Sequence, residues 1–250
     1  MGRFYENPPI VEAICEFRFE PSQPWDWTVP GLVYDKVKDE FRKKRQRNIV
    51  EVEMHAEQQH VAQRVKGGVA QMQFLRDDER ALIQVGPDLL TVNHLKPYPK
   101  WGAYQAMITH ALQVYRQVAN PKGLDRIGLR YINRIQIPES SFEIEDYILA
   151  VPSVPHSVPQ AFRVFIQRVE IPFERANGLL ILQSAMGVPE ESESARAALM
   201  LDLDFVSFDA TSISLDAAVE WVGQAHDKVE NTFEACITPK ARALFKEVAQ

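Results

Sequence analysis

The chain has 250 residues, of which 46% are apolar and 25% are charged, a composition typical of a folded globular protein. At about 150 residues per domain, this length predicts one large domain or two small ones. The 28 basic and 34 acidic side chains give a net charge of −6. The surface as a whole therefore repels nucleic acids and anionic membranes, and a nucleic-acid site has to be a local patch.

The cysteines and the apolar runs exclude several protein classes. Cys15 and Cys236 lie far apart and form no Cys-x-x-Cys pair, which argues against a disulfide scaffold and a zinc ribbon. No positively charged leader opens the sequence, and no apolar run approaches the roughly 18 residues that cross a bilayer. We therefore expect a cytoplasmic protein with no membrane contact.

The first half of the chain predicts short strands and two helices. Apolar side chains at every second position predict a strand over residues 10–19. Pro30 opens an amphipathic helix that we expect to continue into the basic run at residues 42–47, where cations complement the helix dipole. An apolar stripe at three- and four-residue spacing predicts a long helix from Trp101 to Val118. Between these helices, strands are predicted at residues 49–54, 68–75, 81–85 and 89–95.

The second half repeats a similar order. A long strand is predicted over residues 124–137 and ends at Pro138, and a short helix at 142–149 and a proline-rich loop at 151–159 follow. A last long helix spans 215–237, and a short helix begins at Pro239. The strands between the loop and the long helix are predicted at residues 162–173, 179–185 and 198–208.

These elements predict an α+β fold: a curved antiparallel sheet with the long helices on one face. The order strand, helix, strands, helix occurs twice, which indicates an internal duplication with pseudo-two-fold symmetry. The half-repeats are residues 1–121 and 122–250, within a single domain of residues 1–250. The sheet face without helices is then free to bind a partner or to be buried in a dimer.

The sequence contains no recognisable catalytic motif. Its eleven glycines form neither a dinucleotide-binding loop nor a P-loop, and no Gly-x-Ser-x-Gly turn is present. His55 and His60 are five residues apart, which is the wrong spacing for zinc on a helix. Asp202 and Asp204 alternate with apolar residues, as on a simple amphipathic strand. We therefore name no catalytic residue, metal ligand or cofactor, and we lean against an enzyme.

A basic run on this acidic chain is a candidate nucleic-acid site. Five cations occur within residues 42–47, and aromatic residues lie close in sequence. Such a cluster suits a phosphate backbone, although a solvated helix end has a structural reason for the same cations. The candidate nucleic-acid-binding residues are Arg42, Lys43, Lys44, Arg45, Arg47, Trp25 and Trp27.

The predicted strand 124–137 carries the second candidate site. Three arginines lie on one of its faces, where burial without carboxylates is costly and where an anion or a partner is easily held. An internal ion-pair network with Glu12, Glu16 or Glu170 remains an equal alternative. The candidate anion- or partner-binding residues are Arg126, Arg130, Tyr131, Asn133 and Arg134.

Three segments together resemble an uncharacterised, sporadically distributed bacterial protein family of about this length. They are residues 7–13 (Asn-Pro-Pro-Ile-Val-Glu-Ala), 27–31 (Trp-Thr-Val-Pro-Gly) and 130–135 (Arg-Tyr-Ile-Asn-Arg-Ile). The resemblance implies a soluble prokaryotic protein of horizontally moving systems, such as defence or toxin–antitoxin modules. It brings no catalytic residues with it.

Three functional hypotheses follow. In the first, the protein is a non-catalytic binding or regulatory component that acts through contacts with a protein partner or within a homo-oligomer. In the second, it binds or processes nucleic acid through the basic helix end. In the third, it is an enzyme or a receptor that holds a small anionic ligand with the strand arginines.

Overall fold

The structure is a computed structural model that describes residues 3–21, 25–47, 50–57, 60–67, 71–159, 162–190 and 195–248. The helices are α1 (Val29–Val37), α2 (Trp101–Ala119), α3 (Ala218–Cys236) and α4 (Pro239–Phe245). The strands of the first half are β1 (Ile10–Phe19), β2 (Lys43–Arg47), β3 (Val50–Glu57), β4 (His60–Gly67), β5 (Gln71–Leu75), β6 (Ala81–Gly86) and β7 (Leu89–Leu95). The strands of the second half are β8 (Leu124–Ile137), β9 (Ile166–Phe173), β10 (Gly178–Gly187) and β11 (Ala197–Ser207).

Nine strands form one unclosed antiparallel sheet in the order β2-β5-β6-β7-β1-β8-β11-β10-β9. β1 lies at the centre, where Ala13 is opposite His94 of β7 on one side and Tyr131 of β8 on the other. β3 and β4 pair with each other in a separate two-stranded sheet. The predicted α+β class and the antiparallel sheet are confirmed.

The core lies between one face of the sheet and the helices. Odd-numbered β1 side chains such as Cys15 and Phe17 are buried, as are Tyr104 and Ile108 of α2. α2 packs on β7, and α3 packs on β8 and β11. Since side chains alternate along a strand, the even-numbered side chains of β1 point to the opposite face. That face carries the polar groove described below and is called the open face.

The structure corrects the prediction for the basic run. α1 ends at Val37, and the chain turns so that the Phe41 side chain is fully buried. The following residues form β2, which pairs with β5 from Lys43 opposite Leu75 to Arg47 opposite Gln71. The run is therefore the outer strand of the sheet and not a helix end. β5 thus has a hydrogen-bonded neighbour strand on this side, while the side chains of β2 remain exposed to solvent.

Two smaller differences concern other segments. The short helix predicted at residues 142–149 is a single 3-10 turn at Ile144–Asp146. β4 was not predicted, because its polar sequence lacks a clear alternation of apolar residues. Of the predicted strands 49–54 and 68–75, residues 49 and 68–70 lie outside the described residues.

Strand order is similar in the two halves. In each half, the last strand of a three-stranded meander, β5-β6-β7 or β9-β10-β11, pairs with the first strand of that half, β1 or β8. Among the described residues, the second half has no counterpart of α1 or of the β3–β4 hairpin. The internal duplication therefore stays a prediction. No helix of the described chain has the length and apolar character needed to span a membrane.

Candidate functional site

A groove of about 930 Å³ lies on the open face, over strands β5, β6, β7, β1 and β8. Its position follows from alternation along the strands. On β1, Glu12, Ile14, Glu16 and Arg18 line the groove, while the residues between them are buried in the core. Among the described lining residues, seven side chains are basic and five are acidic. The groove is therefore polar and carries both signs of charge.

A row of hydrogen-bonded side chains crosses four strands on the floor of this groove. Gln73 Nε2 donates to Gln84 Oε1 at 2.8 Å, and Gln84 Nε2 donates to Asn93 Oδ1 at 2.9 Å. Asn93 Nδ2 then donates to Glu12 Oε1 at 2.7 Å. The three amide side chains are buried, yet each amide can form more hydrogen bonds than this row uses. We call these four residues the amide row.

The three arginines of β8 lie on the open face, and each has a carboxylate partner. Arg126 bonds to Glu16, and Arg130 Nε donates to Asp202 Oδ1 at 2.8 Å. Arg134 Nη1 donates to Glu190 at 3.0 Å. The internal ion-pair alternative thus describes these arginines in the structure.

The partners differ in part from those named in the sequence analysis. Glu16 was named there, whereas Glu12 belongs to the amide row and Glu170 pairs with Arg168 at 2.7 Å. Asp202 was not named there as an arginine partner. Its pairing with Arg130 requires β8 and β11 to be neighbours, and the sequence did not reveal this.

Asp204 has the most perturbed carboxyl group of the groove. Burial raises its pKa from 3.8 to about 6, although the positive charges of Arg126 and Arg130 act in the opposite direction. The side chain is 19% exposed, and Arg126 Nη2 lies 3.5 Å from its Oδ2 atom. Hydrogen bonding to Asp202 raises the pKa of Arg130, so this guanidinium stays charged. The groove therefore contains one carboxyl group that changes charge near pH 6.

Tyr131 and Asn133 lie on the opposite face of β8 from the arginines. Tyr131 is buried with its hydroxyl 2.8 Å from that of Tyr98. Asn133 is also buried, and its Nδ2 donates to the Leu201 carbonyl at 3.0 Å. The structure does not bring these two side chains together with Arg126, Arg130 and Arg134. Alternation along β8 separates the two sets.

Four cations of the basic run are side chains of the outer strand β2, and the fifth, Arg42, directly precedes it. Lys43 Nζ and Arg45 Nη2 share Glu79 at 2.8 and 3.3 Å, and Lys44 Nζ lies 4.3 Å from the centre of the Tyr34 ring. Arg42 pairs with Asp77 at 3.1 Å. Arg45 and Arg47 also line the groove. The groove therefore has a cationic margin along β2.

The two candidate tryptophans belong to the segment before α1. Trp25 and Trp27 are in edge contact, with ring centres 6.1 Å apart. Trp25 packs against the core, while Trp27 is 56% exposed. Neither residue is part of the groove lining. The structure thus joins Arg45 and Arg47 to the groove but leaves both tryptophans outside it.

The opposite margin of the sheet is strand β9, which the sequence analysis did not single out. Its exposed apolar side chains include Ile166 (73%), Val169 (40%) and Ile171 (37%). Arg168 and Glu170 stand among them as an exposed ion pair. The sequence predicted a strand here but held no sign that it lies at an edge, except for Pro172, which lacks a backbone donor.

A group with metal-ligating atoms was also missed. His226, Asp227 and Glu230 of α3 offer ligand atoms within 4.8 Å of one another. The His226 ring stacks on Trp101 with centres 4.0 Å apart, and burial lowers the pKa of His226. The spacing of His226 and Glu230, four residues apart on a helix, was the available signal.

Comparison with known proteins yields no match, either to a protein-family model or to a curated protein.

Proposed function

We propose that the protein is a non-catalytic binding or regulatory component, and that the groove holds an extended, polar segment of a partner protein. The amide row carries this proposal. Side-chain amides both donate and accept, as peptide groups do, and Gln73, Gln84 and Asn93 keep capacity beyond their mutual bonds. A row that crosses four strands therefore offers repeated hydrogen bonds to an extended chain.

The charges of the groove favour a polypeptide over a polyanion. Acidic side chains such as Glu12, Glu16 and Asp204 stand among the basic ones, and they repel phosphate groups. The described lining also contains no aromatic ring on which a base could stack. A protein segment with side chains of both charges complements this lining.

The biological setting is part of the proposal and comes from the resemblance alone. Patchily distributed bacterial proteins suggest mobile systems, so the partner belongs to a neighbouring gene of a defence or toxin–antitoxin-like module. An internal duplication of residues 1–121 and 122–250 would have produced the sheet that carries the groove.

Site-specific photo-crosslinking tests the proposal. A photoreactive amino acid at Leu89, which lines the groove, should form adducts with one partner protein in host extract. The same amino acid at Gln113 of α2, which is exposed away from the groove, is the matched control. Protein adducts from position 89 alone support the proposal. Equal adducts from both positions, or none from position 89, contradict it.

A second candidate function, nucleic-acid binding, is favoured by one observation. The alternate cations of β2 line up on one side of the strand, and Arg45 and Arg47 extend into the groove margin. Phosphate contacts of this kind make affinity fall with salt. Arg45→Glu with Arg47→Glu should then abolish binding of labelled RNA or DNA, while Lys36→Glu with Lys122→Glu makes the same charge change elsewhere. Equal loss in both double variants, or binding that ignores salt, would remove this candidate.

A further inference from the structure

β9 has an open backbone edge with a defined set of donors and acceptors. Among the described strands, it has a neighbour on one side only, β10. Met186 N–H donates to the Phe165 carbonyl at 3.2 Å, and the same register continues with Val169 opposite Leu182. Since hydrogen-bonded pairs recur at every second residue, the odd-numbered residues of β9 bond to β10. The even-numbered residues direct their backbone groups to the open side.

Pro172 agrees with this assignment. It is an even-numbered residue of β9, so its missing N–H falls on the open side and removes no bond to β10. The backbone donors on the open side are those of Ile166, Arg168 and Glu170. An added strand therefore has to pair with these three residues.

The charges of β9 are self-complementary. In an antiparallel pair of two β9 strands related by a two-fold axis at Val169, Arg168 is opposite Glu170 of the second copy, and the reverse holds as well. Both residues are even-numbered, so the charged pairs are also the hydrogen-bonded pairs. An axis at Arg168 or at Glu170 would instead place like charges opposite each other, which is unfavourable.

Apolar side chains complete the match. With the axis at Val169, the two copies of this side chain face each other in a non-hydrogen-bonded pair, where the strands bring side chains closest. Ile166 is opposite Pro172 of the second copy. The exposed apolar side chains of β9 thus lose contact with water when two copies pair.

We propose that β9 is a dimer interface, at which two copies of the chain join their sheets through an antiparallel β9–β9 pair with its two-fold axis at Val169. The occupant is a second copy because both the charges and the backbone donors match the strand itself. This interface is at the opposite margin of the sheet from β2, contains no residue of the groove lining, and does not depend on the proposed function.

Engineered disulfides test the axis. In a non-hydrogen-bonded pair the two Cα atoms at position 169 are about 4.5 Å apart, within the range that a disulfide spans. Val169→Cys should therefore give a covalent dimer under mild oxidation, seen on non-reducing gels. Ile171→Cys is the matched control, because its two copies would be about 13 Å apart along the strands. The native Cys15 and Cys236 are buried. Equal crosslinking of the two variants, or none of Val169→Cys, overturns the proposal.

Charge exchange tests the pairing in solution without depending on oxidation. Sedimentation velocity should show a dimer for the wild type, and about tenfold weaker association for Arg168→Glu or Glu170→Arg alone. A mixture of the two variants should recover a one-to-one dimer, because each Glu then faces an Arg. The proposal fails if the single variants associate as the wild type does, or if the mixture stays monomeric while circular dichroism shows both variants folded.

Discussion

The two margins of the sheet are opposite in character. β2 has the sequence Lys-Lys-Arg-Gln-Arg, and all five side chains are exposed. β9 has the sequence Ile-Gln-Arg-Val-Glu-Ile-Pro-Phe and is also largely exposed, but most of its side chains are apolar. Cationic edge strands resist pairing with another strand, whereas apolar ones invite it. The comparison shows which margin of the molecule is protected and which is suited to contact.

The charges at the two margins also have different partners. At β2, Lys43 and Arg45 pair with Glu79 of the turn before β6, within the same molecule. At β9, Arg168 and Glu170 pair with each other, two residues apart on one exposed face. An exposed pair of this kind contributes little to stability. It can therefore exchange partners with a second copy at low cost.

Introducing lysines into β9 should have the largest effect, a loss of self-association. Ile166→Lys with Val169→Lys makes this margin resemble β2, and two ammonium groups per copy would then be desolvated without partners. We expect self-association to weaken by roughly a hundredfold, measured by sedimentation equilibrium. Leu149→Lys with Val188→Lys adds the same charge at exposed sites outside β9 and should leave association unchanged. Equal weakening in both variants would point to net charge as the cause.

Removing the charge of β2 should have the opposite result. Replacing Lys43, Arg45 and Arg47 by Val gives the molecule two apolar margins, which allows copies to join in open chains. Light scattering should then show assemblies larger than a dimer that grow with protein concentration. A scattering mass that stays at the wild-type value would contradict the protective role of these cations. The control removes three other exposed cations: Lys36, Lys38 and Lys122.

Substitutions in the groove and near β9 should also differ in how they change the pH dependence of the free energy of unfolding. The folded-state pKa of Asp204, about 6, lies above the unfolded value of 3.8, so its ionisation opposes folding, and this cost grows as the pH rises from 3.8 to about 6. Asp204→Asn should therefore gain about 2–3 kcal/mol relative to wild type between about pH 4 and pH 8, in urea unfolding. Gln183→Asn on β10 next to β9 exchanges one amide for another and should show no such pH-dependent change. A pH-independent difference for Asp204→Asn would refute the assignment.

The smallest effect is expected inside the groove. Gln84→Leu interrupts the amide row: the Gln73 Nε2 donor and the Asn93 Oδ1 acceptor lose their partner, while Asn93 keeps its bond to Glu12. The free energy of unfolding should fall by about 1–3 kcal/mol. Gln183→Leu makes the same change on β10, outside the groove, and should stay within about 0.5 kcal/mol of wild type. An equal fall in the free energy of unfolding for both variants would show that the amide row contributes no specific stability.

The sequence predicted much of the sheet correctly. Alternating apolar residues defined β1, β7 and β8 with the bounds that the structure has, and they placed the β8 arginines on one face. The helical stripe from Trp101 defined α2 in the same way. These signals are local, because they depend on the period of side chains within one element.

The remaining errors concern features that depend on distant parts of the chain. The cations of β2 fit a helix end as well as an outer strand, and only the pairing with β5 distinguishes the two. Arg130 and Asp202 are 72 residues apart, and the amide row joins four strands. Neither arrangement is visible before the strand order is known. The exposed position of β9 has the same origin, since no local pattern apart from Pro172 indicates an edge.

The central position of β1 affects the order in which the sheet is completed. β1 comes near the start of the chain, yet its two neighbours are β7 and β8, and β8 begins only at Leu124. During synthesis, β1 therefore has no strand partner until β7 has been made. Its other edge stays unpaired until β8 follows. Contacts of such long sequence separation slow folding and expose strand edges meanwhile. The first strand to be translated is thus enclosed only after β5, β6 and β7, once β8 has been made.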